Sequence, residues 1–358
     1  MRIVIIGAGI AGLAIAWRLA QAGQEVTLLE RAQPGSGATW ASAGMLAVTA
    51  ELLNSGPVEM EFSRHSNSLW PDFAKEIEAE SGCSIGYDAS GALLLAEDTL
   101  ALDRLARQAA SRPGLELVDA GRVREIAPLV TGSVAGGLWS PCEARVNNRA
   151  LGVAMAVAFQ KAGGTLKPNE AVVRIERREG RASVAHTPFG LYHADAFILA
   201  AGAWSGLLEE KLAPIVPVKG QMILLSPPRD TRLPDCVIWG NGIYAVPRKE
   251  GLAIGATVEE VGFDTGITDE ARDFLLDAAK AVMPSLRDWT VEDQWAGLRP
   301  KAPDGLPLLG PTAVEGLWLA SGQYRNGILF APAMALTMCR QILGEPGIAA
   351  FDPRRFPS

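Results

Sequence analysis

The chain opens on Gly7-Ala8-Gly9-Ile10-Ala11-Gly12, and Glu30 closes the apolar stretch that follows it, Val26 to Leu29. Glycines at this spacing permit a tight turn, a close approach of backbone to a pyrophosphate, and close packing of the next helix. The helix start offers N–H donors to phosphate oxygens, and a carboxylate at the end of the next strand accepts hydrogen bonds from a ribose. The chemistry this spacing serves is dinucleotide binding. Other chemistries have little to work with. Three histidines, His65, His186 and His193, are too few for a His-rich metal site or a chain of imidazoles. The cysteines Cys83, Cys142, Cys236 and Cys339 lie far apart without C-x-x-C spacing, which argues against a zinc cage or dense disulfide framework and for free thiols in a reducing cytosol.

Several elements must position these residues. Residues 3–6 are apolar throughout, as a strand covered on both faces should be, and residues 11–22 carry helical periodicity up to Gly23. With a second strand at 26–29, they make a strand–helix–strand unit. Residues 33–50 contain no charge and many small side chains, which suits close approach to a ligand. Residues 61–80 read as a helix interrupted at Pro71, and 149–162 as a helix stopped by Gly163-Gly164. A strand meander over 171–194 leads to an apolar strand at 197–200 and then to Ala201-Gly202. A helix over 268–283 has its apolar side at Ala271, Phe274, Leu275, Ala278 and Val282. A last strand at 317–320 precedes a helix from about Gly327 to Leu343. A dinucleotide site assembled from both chain ends and the middle points to a flavoprotein, because nicotinamide enzymes of this length keep the cofactor domain compact in sequence.

The 358 residues suit two domains, and 48% hydrophobic with 20% charged residues describes a globular chain with a sizeable core. A net charge of −7 leaves no positive field for nucleic acid or an anionic membrane. The apolar N-terminal run is cut by Gly7, Gly9 and Gly12 and ends at Arg18, too short to span a bilayer.

The motifs GAGIAGLAIAWRLA…VTLLE, ATWASAGML, AAGAWS, YAVPR, GLRPKAPDGLPLLG and GQYRNGILFAP occur in that order over nearly the whole chain. In them the sequence resembles the FAD-dependent amine and amino-acid oxidases of the D-amino-acid oxidase and sarcosine oxidase group, and within it most resembles the bacterial glycine oxidases of thiamine biosynthesis. The resemblance implies an α/β fold: a Rossmann-like FAD-binding domain over residues 1–85, 142–215 and 300–358, and an inserted α+β substrate domain with a mixed sheet over 86–141 and 216–299. It implies that Arg299, in Gly-Leu-Arg-Pro, clamps a substrate carboxylate, a role for which a planar guanidinium is suited and which the apolar flanks Leu298 and Pro300 favour. Tyr244 matches a tyrosine whose hydroxyl reaches the same carboxylate, and Arg325 an active-site arginine beside the flavin.

The resemblance places FAD contacts at Gly7, Gly9, Ile10, Ala11, Gly12, Glu30, Arg31, Thr39, Ser42, Ala43, Gly44, Met45, Val173, Ala201, Gly202, Trp204, Arg299, Tyr324, Arg325, Asn326, Gly327 and Ile328. The substrate pocket would be lined by Met45, Ala47, Gly242 and Val258. Gly242 stands where some glycine oxidases carry a histidine and Val258 where a methionine can line the pocket, and the lost bulk predicts room for substrates larger than glycine. No cysteine lies between Arg299 and Gly316, so the FAD is expected to be held without a covalent bond. The activity implied is oxidation of glycine or a similar small amine (sarcosine, D-amino acids) to the 2-oxo acid, ammonia and hydrogen peroxide, with oxygen as acceptor. The alternative is a D-amino-acid dehydrogenase that passes electrons to a quinone or carrier. A cytoplasmic homotetramer without metal is the expected form.

Overall fold

The computed structural model of the chain describes residues 1–51, 55–110, 112 and 114–356. Its first sheet has six strands, in the order Leu308–Pro311, Leu317–Ser321, Ala196–Leu199, Arg2–Ile6, Glu25–Leu29 and Thr165–Lys167. All pairings are parallel except the one between the first two. Ile5 sits between Ile198 and Leu28 in register, and all three are buried, which explains why these strands read as unbroken apolar runs. On this sheet packs the helix Ile10–Gln21, which lies against the helix Gly327–Ile342; both are buried along most of their length.

A second sheet has eight strands, running Thr290–Lys301, Val216–Ser226, Gly251–Gly255, Ile243–Arg248, Val237–Gly240, Ala92–Ala96, Gly136–Ser140 and Glu116–Asp119. It is antiparallel except where Val237–Gly240 meets Ala92–Ala96. The helix Asp269–Val282 covers one face, its start capped by the Thr268 hydroxyl, which accepts from Ala271 N at 3.2 Å. The meander Arg174–Arg178, Arg181–His186 and Leu191–His193 forms a separate three-stranded sheet. The α/β fold expected from the sequence, a Rossmann-like mostly parallel sheet with helices beside a second, mixed sheet, is the one observed.

Two local expectations are corrected, and one strand carries no clear signal in the sequence. The helix Pro57–Ser81 runs through Pro71 without interruption. Pro71 is on the exposed side, while Trp70, Phe73, Ala74 and Ile77 are buried, and their burial outweighs the roughly 3 kcal/mol a helix-interior proline costs. Phe274 is 52% exposed and lies off the buried stripe of its helix. The long strand Thr290–Lys301, which carries Arg299, has too weak an alternation to stand out; Glu292, Asp293 and Gln294 interrupt it.

Candidate functional site

One cavity of about 580 Å³ runs from the first turn of the chain to the second sheet. At one end lie Gly7, Gly9, Ile10 and Ala11, with Glu30 and Arg31 beside them. The Glu30 carboxylate accepts from Ala8 N at 2.7 Å and from Ala32 N at 2.9 Å, so it ties the turn to the end of the second strand. The Thr39 hydroxyl accepts from Ile10 N at 2.9 Å. Gly7 has φ +105°, and a Cβ there would stand 2.6 Å from the Ala200 carbonyl oxygen. Gly12 does not line the cavity; a Cβ on it would fall 1.9 Å from the Gly7 carbonyl oxygen, so it is the residue that lets the helix sit against the turn. The Arg31 guanidinium stacks 3.5 Å above the Trp204 ring, and Ala201, Gly202 and Trp204 complete this end.

The middle is walled by the charge-free segment: Thr39, Ser42, Ala43, Gly44, Met45 and Ala47 all line the cavity. Opposite them lie Tyr324, Arg325, Asn326, Gly327 and Ile328. Tyr324 has φ +47°, an uncommon conformation for a bulky side chain, and its N–H donates to Pro300 O at 2.8 Å. That turn sets Arg325 and the start of the last helix against the cavity.

At the far end Arg299 and Tyr244 come together, although 55 positions separate them in the chain. Arg299 pairs with Val218 across the two long strands, and its Nη1 donates to Lys219 O at 3.2 Å and Thr257 O at 3.1 Å. A guanidinium has five N–H donors, so Nε and Nη2 keep donors for a ligand. Tyr244 is 6% exposed, and its hydroxyl reaches Met222 Sδ at 3.8 Å. Burial pushes its phenol above the ordinary tyrosine value, against the pull of the Arg299 charge. The Arg325 Nε lies 2.8 Å from the Glu51 carboxylate. Two cations, one carboxylate and a phenol thus face one apolar-walled space, suited to orient a small zwitterion.

Besides Gly12, three more sequence-based expectations miss this cavity. Val173 is 62% exposed; its N–H donates to His186 O, its side chain faces outward, and Ala171 and Val172 line the cavity instead. Gly242 occupies the two-residue turn Asn241-Gly242, with φ +50° and +75°, that joins the strands ending at Gly240 and starting at Ile243. A glycine there serves the hairpin. Val258 is 56% exposed, outside the cavity. The argument for extra pocket room from these two positions therefore fails.

Sequence reasoning missed Glu51, Gly220 and Met222, which also line the cavity, and Glu143 behind it. Glu51 had a signal, as the first charge after the uncharged run at 33–50. Gly220 had none, since its importance depends on which strand lies across from it.

A family model described as FAD dependent oxidoreductase matches residues 2–341. The bifunctional protein ThiO/ThiG of Synechocystis is 36% identical over 99% of this chain, which spans about half (54%) of that longer protein. The glycine oxidase of Pseudomonas aeruginosa is 36% identical over 98% of this chain and 97% of its own. The crystal structure of glycine oxidase from Geobacillus kaustophilus superposes with a TM-score of 0.93, at 30% identity, over the whole of both chains.

Proposed function

From the premise that the chain belongs to the FAD-dependent oxidoreductase family, in the D-amino-acid oxidase group, with FAD as its cofactor, we propose that it oxidatively deaminates glycine or a similarly small amine-bearing acid such as sarcosine or a D-amino acid. For glycine the balance is glycine, oxygen and water giving glyoxylate, ammonia and hydrogen peroxide.

The residues fit FAD: a turn at Gly7 that tolerates no Cβ, a pinned Glu30, and a long cavity continuous with the arginine end. Those that would hold it are the Gly7–Ala11 turn at the diphosphate, Glu30 at a ribose, Arg31 and Trp204 toward the adenine, and Ser42–Met45 with Tyr324–Ile328 at the ring. Bound FAD supplies the two-electron acceptor. Arg299 binds the substrate carboxylate bidentately, and the Tyr244 hydroxyl donates to the same group. The apolar wall of Met45, Ala47 and Met222 keeps water from the reacting carbon and limits substrate size. Among the described residues no histidine lines the cavity, and a Cα–H that leaves with its electron pair needs no strong base at carbon.

The division into a cofactor domain (1–85, 142–215, 300–358) and a substrate domain (86–141, 216–299) is part of the same reading, supported by the way the two sheets draw on those segments. So are a cytoplasmic homotetramer and a supply of glyoxylate for thiazole formation, both carried over from the resemblance of the sequence motifs. Among the described residues no helix is long and apolar enough to cross a membrane.

The observation that carries the proposal is Arg299 and Tyr244 facing the cavity that begins at the glycine turn. Anaerobic mixing of the yellow protein with glycine, sarcosine and D-alanine tests it, and bleaching of the flavin absorbance by at least one is expected. Admission of air should restore the colour and yield peroxide. Bleaching that oxygen does not reverse, but a quinone or dye does, would make the protein a dehydrogenase; no bleaching across the panel would sink the substrate class.

A further inference from the structure

The substrate end of the cavity carries more positive charge than one carboxylate needs. Arg299 and Arg325 both line it, and a small amino acid brings a single carboxylate. Glu51 alters that count. Its side chain is 8% exposed, and its Oε2 lies 2.8 Å from Arg325 Nε. Glu30 and Glu170, the other acidic residues among the described lining positions, sit toward the glycine turn and the neighbouring Ala171–Val172 segment.

Glu51 is also held where it stands. The two residues before it donate their N–H groups to the buried Glu143 carboxylate, Thr49 at 2.8 Å and Ala50 at 3.2 Å. The Thr49 and Ser140 hydroxyls meet at 3.1 Å in the same cluster. Burial pushes the Glu51 carboxyl above its ordinary value, while Arg325 and then Arg299 pull it back. A carboxylate so enclosed is costly to keep unless a cation compensates it, and the compensating cation is an active-site arginine.

We propose that Glu51 sets the charge selectivity of the substrate site: by neutralising Arg325 it leaves Arg299 as the one uncompensated cation and restricts the site to ligands bearing a single carboxylate. A ligand with a second anionic group would meet the Glu51 carboxylate where it needs a cation. The inference rests on the reading of Arg299 as the carboxylate anchor.

Binding of malonate and of its monoamide, followed by perturbation of the flavin absorbance in the FAD-loaded protein, tests it without turnover. The two have the same heavy-atom outline and differ in one charge. The wild type should bind the monoamide at least as tightly as malonate. Glu51→Gln should raise the malonate-to-monoamide affinity ratio by at least about tenfold, because one charge of the cluster is removed in a poorly solvated place. Glu51→Asp should keep the wild-type preference. A wild type that binds malonate about tenfold tighter than the monoamide overturns the proposal whether or not any variant folds. An unchanged ratio in a Glu51→Gln protein of normal flavin content overturns it too. A wild type that binds neither compound nor any other small carboxylate removes the Arg299 anchor and this inference with it, whereas monoamide binding with an unshifted ratio removes the inference alone.

Discussion

A carboxyl group shut away from water keeps its proton to higher pH, and Glu143 is such a case. It is 2% exposed, and burial pushes its pKa up to about 7, against the N–H groups of Thr49 and Ala50 and the hydroxyls of Thr49 and Ser140 that favour the charged form. The folded value exceeds the ordinary 4.5, so between the two the folded chain binds the proton more tightly than the unfolded one. The contribution is fully present below about 4.5 and is lost as pH rises to about 7, an effect on the order of 3 kcal/mol. Glu143→Gln keeps an oxygen acceptor for Thr49 and Ala50 but cannot titrate. Its melting temperature should match the wild type near pH 4.5 and exceed it at pH 8; parallel curves for the two proteins would refute the account. At this scale the candidate site was partly legible. Arg299, Tyr244 and Arg325 could be named from their motifs, whereas Gly242 and Val258 could not be placed. A side chain's direction depends on whether its strand turns, as at Asn241-Gly242, and the residue type does not report that.

At the scale of elements, the two long strands Val216–Ser226 and Thr290–Lys301 decide where Arg299 points. Their register sets Gly220 opposite Gly297 and Val218 opposite Arg299. The guanidinium lies over Gly220 so closely that a Cβ there would stand 2.3 Å from both Nη1 and Nη2. The clash is with the flexible end of a side chain, so the fold can yield by moving the guanidinium. Gly220→Ala should therefore retain flavin and melt close to the wild type, within about 1 kcal/mol of stability, while kcat/KM for the amino acid falls roughly tenfold to a hundredfold through KM. Equal loss of flavin and activity would show that the glycine serves folding instead. The strand–helix–strand unit, the meander and the last helix were all readable from period and glycine placement. The passage of Pro57–Ser81 through Pro71 was not, because the deciding quantity is the apolar area buried by Trp70, Phe73 and Ile77.

Across the whole molecule, the six-stranded sheet draws on the first, middle and last parts of the chain, so the cavity is complete only once distant segments have met. None of the four cysteines lines that cavity: Cys142 is exposed, Cys83 half-buried, and Cys236 and Cys339 buried elsewhere. Acid or heat precipitation is accordingly expected to leave yellow flavin in the supernatant; colour that stays with the denatured chain would mean a covalent link. The amino-acid sequence by itself determined the dinucleotide turn, the alternation of strands and helices, the family and the arginines worth naming. The turn and the alternation follow from rules that act over a few neighbouring residues, such as glycine spacing and apolar period, whereas the family and the arginines came from the resemblance of six motifs in order along the chain. Only the tertiary structure decided that Glu51 meets Arg325, that Gly220 lies beneath Arg299, and that Val172 rather than Val173 turns inward. Those outcomes depend on strand register and on which face each residue takes, and both are settled by the packing of segments far apart in the chain.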